Sequence, residues 1–471
     1  MGRRVRCDVA AAILFAAVVL SAPARAGDDD DLARIPKQTD QSEDTANLAR
    51  DLDATGRVYL QDDLFFAADR SNLAVPLGPG PSWEERLFLD TRLTWSLGSD
   101  VSFTYSGRFN LRAEDGIDFP SHENLRNDLR EAYLAWQIAP DDFVEAGRIN
   151  LKSGTGLGYN PTDFFKTRAV VEPVSADPGV LREDRLGTAM VMGQHLWDGG
   201  SVTVAYAPKL YDDTPIYFNS DLPSFDPMFD RTNARERILV KSSLRLADDL
   251  MPEFLFYDEA GNTRFGINIS RSFGRSIVGY AEWAGGSRAS LVHDALTYGV
   301  ETGTLPAAAL SVIPESGAKS FRSDYVVGAS YTTENRITIN LEYDRHGEGF
   351  TGQDWRNWFD TGIAGRSNPL VTGTLWYIRG YAQDQLELTG RDVVFLRADW
   401  TDAFVKDLNL SGFVLDDVRD GSALAQVSAD YYLSRSWTVG GLVDANFGSR
   451  RSEFGSLPNT AEVFLKLTAY L

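Results

Sequence analysis

The chain has a single cysteine, Cys7, and it falls inside a stretch that reads as a signal sequence. The expected mature chain therefore carries no thiol, which excludes disulfides, thiolate catalysis and cysteine-based metal sites. Histidine is nearly as scarce. There are four, His122, His195, His293 and His346, and neither Gly-x-Ser-x-Gly nor His-Glu-x-x-His accompanies them. An enzyme is not expected, although a Ser–His pair built from loops would leave no mark on sequence order. No EF-hand spacing is present either, and neither cofactor nor metal is expected. After the N-terminal segment no apolar run is long enough to cross a bilayer as a helix. Positive charge is in deficit: 46 Lys and Arg stand against 67 Asp and Glu, a formal charge of −21. Acidity of this size argues against nucleic acid as a partner.

What the chain does contain is alternation. Its last residues, Ala461 to Leu471, put Val463, Leu465, Leu467, Ala469 and Leu471 on one face and Glu462, Phe464, Lys466, Thr468 and Tyr470 on the other. Side chains alternate across a strand, so this is a strand with one oily face. An unpaired edge of this kind invites aggregation in a soluble protein, whereas a barrel in a bilayer needs it for closure. At the other end, Arg3, Arg4 and Arg6 precede an apolar run from Val9 to Leu20 and an Ala24-Arg25-Ala26 site. This predicts a signal peptide over 1–26 and export to the periplasm, then insertion in the outer membrane. Residues 27–56 read as an acidic periplasmic tail, partly helical near Ser42 to Leu52.

From Arg57 to Leu471 amphipathic runs recur between turn signals, and 41 Gly, 18 Tyr, 26 Phe and 10 Trp suit tight turns and aromatic girdles. The reading is all-β: a transmembrane antiparallel barrel of about 18 strands. Short turns such as Gly98–Asp100, Asp198–Gly200 and Ser434–Ser436 are assigned to the periplasm and long connections to the outside. That parity holds only if Gly347–Gly390 is one outer loop, with Leu375–Leu388 a loop segment of helical character. Alternation then places Arg86, Arg92, Arg108, Arg112, Arg148, Lys241, Arg245 and Arg264 on a basic lumen wall. Glu342, Asp344, Asp399, Asp430 and Asp444 fall on an acidic one. Such walls set pore selectivity, though lumen charges that only pair and solvate one another would give the same pattern.

The connection after the fifth strand, Ser153 to Asp184, reads Gly-Thr-Gly-Leu-Gly-Tyr-Asn-Pro-Thr-Asp-Phe-Phe-Lys and then turns acidic. Gly154, Gly156 and Gly158 lack the strand-to-helix context and Lys-Ser/Thr pair of a phosphate cradle. A strand ending in Gly147-Arg148, followed by a third outer loop with Asn160-Pro161-Thr162-Asp163-Phe164-Phe165, resembles the porin-type and alginate-export-like outer-membrane families of proteobacteria. The resemblance implies a third loop that folds into the barrel and narrows it, with Tyr159, Asn160, Asp163, Glu172, Asp177 and Glu183 at the constriction; the alternative is an outward loop that covers the mouth, as long barrel loops commonly do. It does not carry pore residues over, for no aligned ladder of lining positions is found, and Leu471 stands where phenylalanine is usual. A conduit for polar or anionic solutes is expected, with an anionic sugar or polysaccharide as cargo. The competing class is a non-conducting surface barrel whose loop aromatics, Trp355, Trp358, Trp376 and Tyr377, hold polysaccharide or partners. Expected partners are outer-membrane lipid and lipopolysaccharide, the barrel-assembly machinery through the last strand, and the solute.

Overall fold

The computed structural model describes residues 54–78, 80–114, 124–170, 173, 175–216, 225–247, 249–315 and 317–471. The signal peptide and nearly all of the tail lie outside them, as do His122 and Glu172. Eighteen strands form one antiparallel sheet: β1 (Ala54–Asp69), β2 (Trp83–Ser96), β3 (Val101–Glu114), β4 (Leu125–Ala139), β5 (Asp142–Ile149) and β6 (Thr188–Trp197) come first. β7 (Gly200–Ala207), β8 (Arg237–Leu244), β9 (Glu253–Glu259), β10 (Asn262–Phe273), β11 (Ile277–Arg288) and β12 (Ser320–Thr332) follow. β13 (Ile337–Arg345), β14 (Asp392–Trp400), β15 (Leu408–Asp417), β16 (Ser422–Ser434), β17 (Trp437–Phe447) and β18 (Asn459–Tyr470) complete it. Each strand pairs with its neighbours in the chain, and β1 pairs with β18 from Tyr59↔Tyr470 to Asp69↔Asn459. The terminal strand thus closes the sheet and removes its edge. β1 begins at Ala54, earlier than the expected Arg57.

The period-two pattern becomes two surfaces. Leu89, Phe109, Leu134, Val204, Ile267, Val327, Leu341, Leu396, Val427 and Leu465 are exposed on the outer wall. Apolar side chains in such a band belong in lipid, so the fold is a transmembrane barrel. No described helix is long and apolar enough to cross a membrane. Short turns link β2 to β3, β4 to β5, β6 to β7, β10 to β11, β12 to β13 and β16 to β17 at the periplasmic end. The long connections gather at the other end.

Those outer loops are structured. Loop 3 carries α1 (Pro178–Glu183), the loop between β11 and β12 carries α2 (Leu291–Glu301), and the loop between β13 and β14 carries α3 (Gly352–Ala364) and α4 (Pro369–Asp384). Each helix has a side-chain cap: Asp177, Ser290, a Thr351–Asp354 capping box, and Asn368 ahead of Pro369. Leu291, Val292 and Leu296 pack with Trp355, Trp358, Phe359, Leu375, Ile378 and Val75 into a separate apolar core. The expected Gly347–Gly390 loop is therefore a helical cap over the barrel mouth.

Candidate functional site: the third loop inside the barrel

Loop 3 runs into the lumen and grips the wall at points around it. The glycine-rich run comes first. The Thr155 and Gly156 amides donate to Glu282, and the Leu157 and Gly158 amides donate to Glu342 at 2.7 Å each. Four successive N–H groups thus hold two carboxylates on β11 and β13. Tyr280 adds its hydroxyl to Glu342 at 2.6 Å, and Thr162 donates to Glu282 at 3.1 Å. The glycines permit this close approach. A Cβ on Gly158 would stand 2.8 Å from the Phe395 Cβ, and one on Gly154, at φ +91°, would meet the Glu282 carboxylate. The run is a cradle after all, for carboxylates of the protein itself.

The middle of the loop is anchored by hydrophobic contact. Phe164 stacks on Tyr257 with ring centroids 4.6 Å apart, and Phe165 packs edge-on to the same ring. Ile149, Met190, Ala205, Ala207, Leu239, Leu255 and Ala284 surround them. Asp163 beside them pairs with Arg185 at 2.9 Å. Burial opposes ionisation of Asp163, but Arg185 and Arg182 outweigh it and hold the carboxyl below the ordinary range. Tyr159 donates to Glu387 of the cap at 2.6 Å, and Lys166 pairs with Glu387 at 3.2 Å. Asn160 bonds back to the Gly156 carbonyl, tightening the turn.

The acidic end crosses to other strands. Asp177 accepts two bonds from Arg397 of β14 at 2.8 Å, and Ser175 meets Gln426 of β16 at 2.8 Å. Asp184 then pairs with Arg108 at 2.5 Å and with Arg130 at 2.8 Å, while Glu183 pairs with Lys152. An acidic loop segment thus faces arginines of β3 and β4.

Each pore residue named above can be placed. Arg86, Arg92, Arg108 and Arg112 share the inner face of β2 and β3, but carboxylates are interleaved with them. Arg86 pairs with Glu84, Arg108 with Asp90 at 2.9 Å, Arg112 lies 3.8 Å from Glu114, and Arg92 lies 3.4 Å from Glu131. Arg126 and Arg130 belong to the same wall. Arg130 is the extra residue of a β-bulge, since Ser106 pairs Glu131 and Gly107 pairs Leu129. The bulge buries Arg130 and Glu131 side by side. Strict alternation misses it.

Lys241 faces Glu253 at 3.4 Å, and Arg264 lies on the inner face near the outer rim. Arg148 differs from expectation: it donates to the backbone oxygens of Gly187 and Pro227 and lies over the Phe229 ring. It clamps the rim to the loop between β7 and β8. Arg245 differs too, sitting half-exposed in the periplasmic turn near Asp198 because β8 ends at Leu244.

Among the acids, Glu342 and Asp344 are buried under loop 3, and neither Asp344 oxygen has a hydrogen-bond donor among the described residues. Asp399 pairs with Arg397 at 2.8 Å, Asp430 with Lys466 at 2.7 Å, and Asp444 is buried on β17. Trp355, Trp358 and Tyr377 are 1%, 0% and 5% exposed, and Trp376 packs against the same core. They fill the cap and present no stacking platform.

No protein-family model matches the chain, and no curated protein sequence does. Solved structures do. OccK11 (OpdR) of Pseudomonas aeruginosa is similar at TM-score 0.51 and 10% identity, over 89% of this chain and 96% of that one. An engineered variant of the Rh. blastica porin is similar at TM-score 0.40 and 13% identity, over 89% of this chain and 100% of that one. The first likeness is one of fold: a closed antiparallel barrel of the porin kind. At such identities no residue role carries across.

Proposed function

We propose that the protein is an outer-membrane channel for small polar solutes, anionic ones favoured, narrowed by loop 3. The observation that supports this most is the loop's course through the lumen, with Asp177 and Asp184 set against Arg397, Arg108 and Arg130. These contact pairs pin the acidic segment to the wall, and the weakly screened charges so fixed along the remaining passage orient a passing dipole. An anionic sugar is the cargo that arginine and aspartate together suit, since guanidinium takes a carboxylate in bidentate fashion and carboxylates accept from hydroxyls. The crowded interior and helical cap favour the sugar over its polymer. Burial of Trp355 and Trp358 weighs against the surface-adhesin reading, which needs them accessible.

Planar-bilayer recording of the full chain and of a Thr155–Ala176 deletion tests the channel. Stepwise openings are expected for both, with conductance higher in the deletion. Asp163 and Glu172 leave together with Lys166 and Arg168, so the segment removes no net charge, and uncovering Glu282 and Glu342 moves selectivity toward cations. Unchanged conductance and selectivity in a correctly folded deletion would take loop 3 out of the pathway, and silence of both would end the channel reading.

A further inference from the structure

Above loop 3 a cavity of about 320 Å³ lies between the wall at β8 to β11 and the outer loops. Seven cations border it, and most are already engaged. Arg237 is paired with Glu259 at 3.1 Å, Arg288 with Asp324 at 2.6 Å, Arg235 with Asp213 at 3.2 Å and Arg231 with Asp384 at 2.5 Å. Arg168 donates to the Thr214 carbonyl at 3.1 Å and lies over the Tyr298 ring. Among the described residues Lys319 meets only the neutral amide oxygen of Asn262, at 3.0 Å. Arg264 of β10 is different: among the described residues its guanidinium has no hydrogen-bond or ion-pair partner, although it is partly buried at the cavity wall. Across the same cavity Asp294 of α2 is also without a side-chain partner, and Glu301 stands at its rim.

A guanidinium and a carboxylate that face one small space without pairing are an unfinished ion pair. Glu348 and Glu259 act on Arg264 through space, as His293 and Arg264 do on Asp294. But no acceptor among the described residues reaches the guanidinium and no side-chain donor reaches the carboxylate, and a ligand carrying the two complementary charges would satisfy each. A purely anionic ligand would meet Arg264 and Lys319 but would be repelled by Asp294 and Glu301. A purely cationic one would face the reverse. We propose that this cavity is a binding site for a small zwitterion with carboxylate and ammonium on one carbon skeleton, the carboxylate taken by Arg264 and the ammonium by Asp294. The volume lies at the lower end of ligand pockets, which sets the size class at a free amino acid rather than a peptide. The inference deepens the channel reading, since a site under the cap would be the first stop for an entering solute, but its chemistry is tested separately.

The test is calorimetric titration of the full chain in detergent with L-serine, glycerate and ethanolamine, three solutes of similar size. Glycerate replaces the ammonium with a hydroxyl, and ethanolamine lacks the carboxylate. Serine is expected to bind at least tenfold more tightly than either. Arg264→Gln is expected to weaken serine binding by at least tenfold. Asp294→Asn should weaken serine similarly while leaving glycerate unchanged or tighter. Lys319→Gln, at the cavity edge, serves as a second cation variant should Arg264→Gln lose the heat-modifiable migration of a folded barrel. Glycerate binding as well as serine would replace the zwitterion with a sugar acid and overturn the inference. So would absence of serine binding, or indifference to Asp294→Asn. Bilayer conductance persisting in those cases would leave the channel standing, whereas conductance lost with serine binding intact would fault the channel reading alone.

Discussion

Glu342 shows how a single lumen side chain can hold a loop. Its carboxylate accepts from the Leu157 and Gly158 amides at 2.7 Å and from Tyr280 at 2.6 Å. Glu342→Gln keeps the size but leaves one oxygen and an NH₂ group where three donors converge, so at least one buried donor goes unmet. A loss of this kind costs about 1–3 kcal/mol. Gly158→Val attacks the same joint from the other side, since its Cβ would crowd Phe395. Both variants are expected to loosen loop 3, raising single-channel conductance and its noise while heat-modifiable migration persists. Equal conductance and noise in both would mean the cradle does not hold the loop. The joint was only half legible beforehand. Alternation placed Glu342 and Asp344 inward, and the glycines stood out. Nothing in the chain tells which distant carboxylate a run of amides will meet, because that is set by closure of the whole barrel.

At the scale of elements, strands were the readable part and the lumen face was not. A lipid-facing residue must be apolar, so the outer pattern is constrained. An inner residue need only suit what covers it. Where Phe164 and Phe165 cover the wall, Ala205, Leu239 and Leu255 face inward, and hydropathy alternation fades in β7 to β9. Arg148 and Arg245 were misplaced for a related reason: both stand at strand ends, where a loop or turn decides the direction of the side chain.

Loop parity foreshadowed one outer loop with helical character over Leu375–Leu388, but neither the Gly352–Ala364 helix nor the shared core. That core rests on Trp358, which is fully buried, donates to the Leu375 carbonyl at 2.9 Å and packs edge-on to Phe359. Trp358→Ala should cost the cap about 3–5 kcal/mol. The barrel ladder does not depend on it, so the loss should be local. Hydrogen exchange in α2, α3 and α4 is expected to accelerate while strand amides stay protected. Cooperative loss of strand protection along with the cap would show that the two are one folding unit.

For the whole molecule the outer belt is the surface that must match the bilayer, and Asp62 breaks it. Asp62 lies on β1 opposite Leu87 and Leu467, between the outward Leu60 and Leu64. Leu467 is exposed on the lipid side, so Asp62 shares that face. Its strand runs from Ala54, paired with Trp95, to Phe66, paired with Trp83. Tryptophans mark the two interfaces of a membrane barrel, which puts Asp62 between the girdles, within the apolar belt and nearer the Trp83 end. One of its oxygens is buried with no donor among the described residues, and a charged neighbour on that face is Glu85, opposite Leu64. A carboxylate there is stabilised neither by water nor by a cation. Acidic side chains on a barrel's lipid face destabilise less than the roughly 2–4 kcal/mol of a basic one at the midplane, yet the sign is the same. Asp62→Leu restores the apolar belt and touches nothing in the lumen. It is expected to raise the stability of the barrel folded into lipid vesicles by about 1–2 kcal/mol, measured by urea unfolding, with conductance unchanged. A less stable Asp62→Leu barrel would mean that the carboxylate is satisfied by something other than lipid on this face.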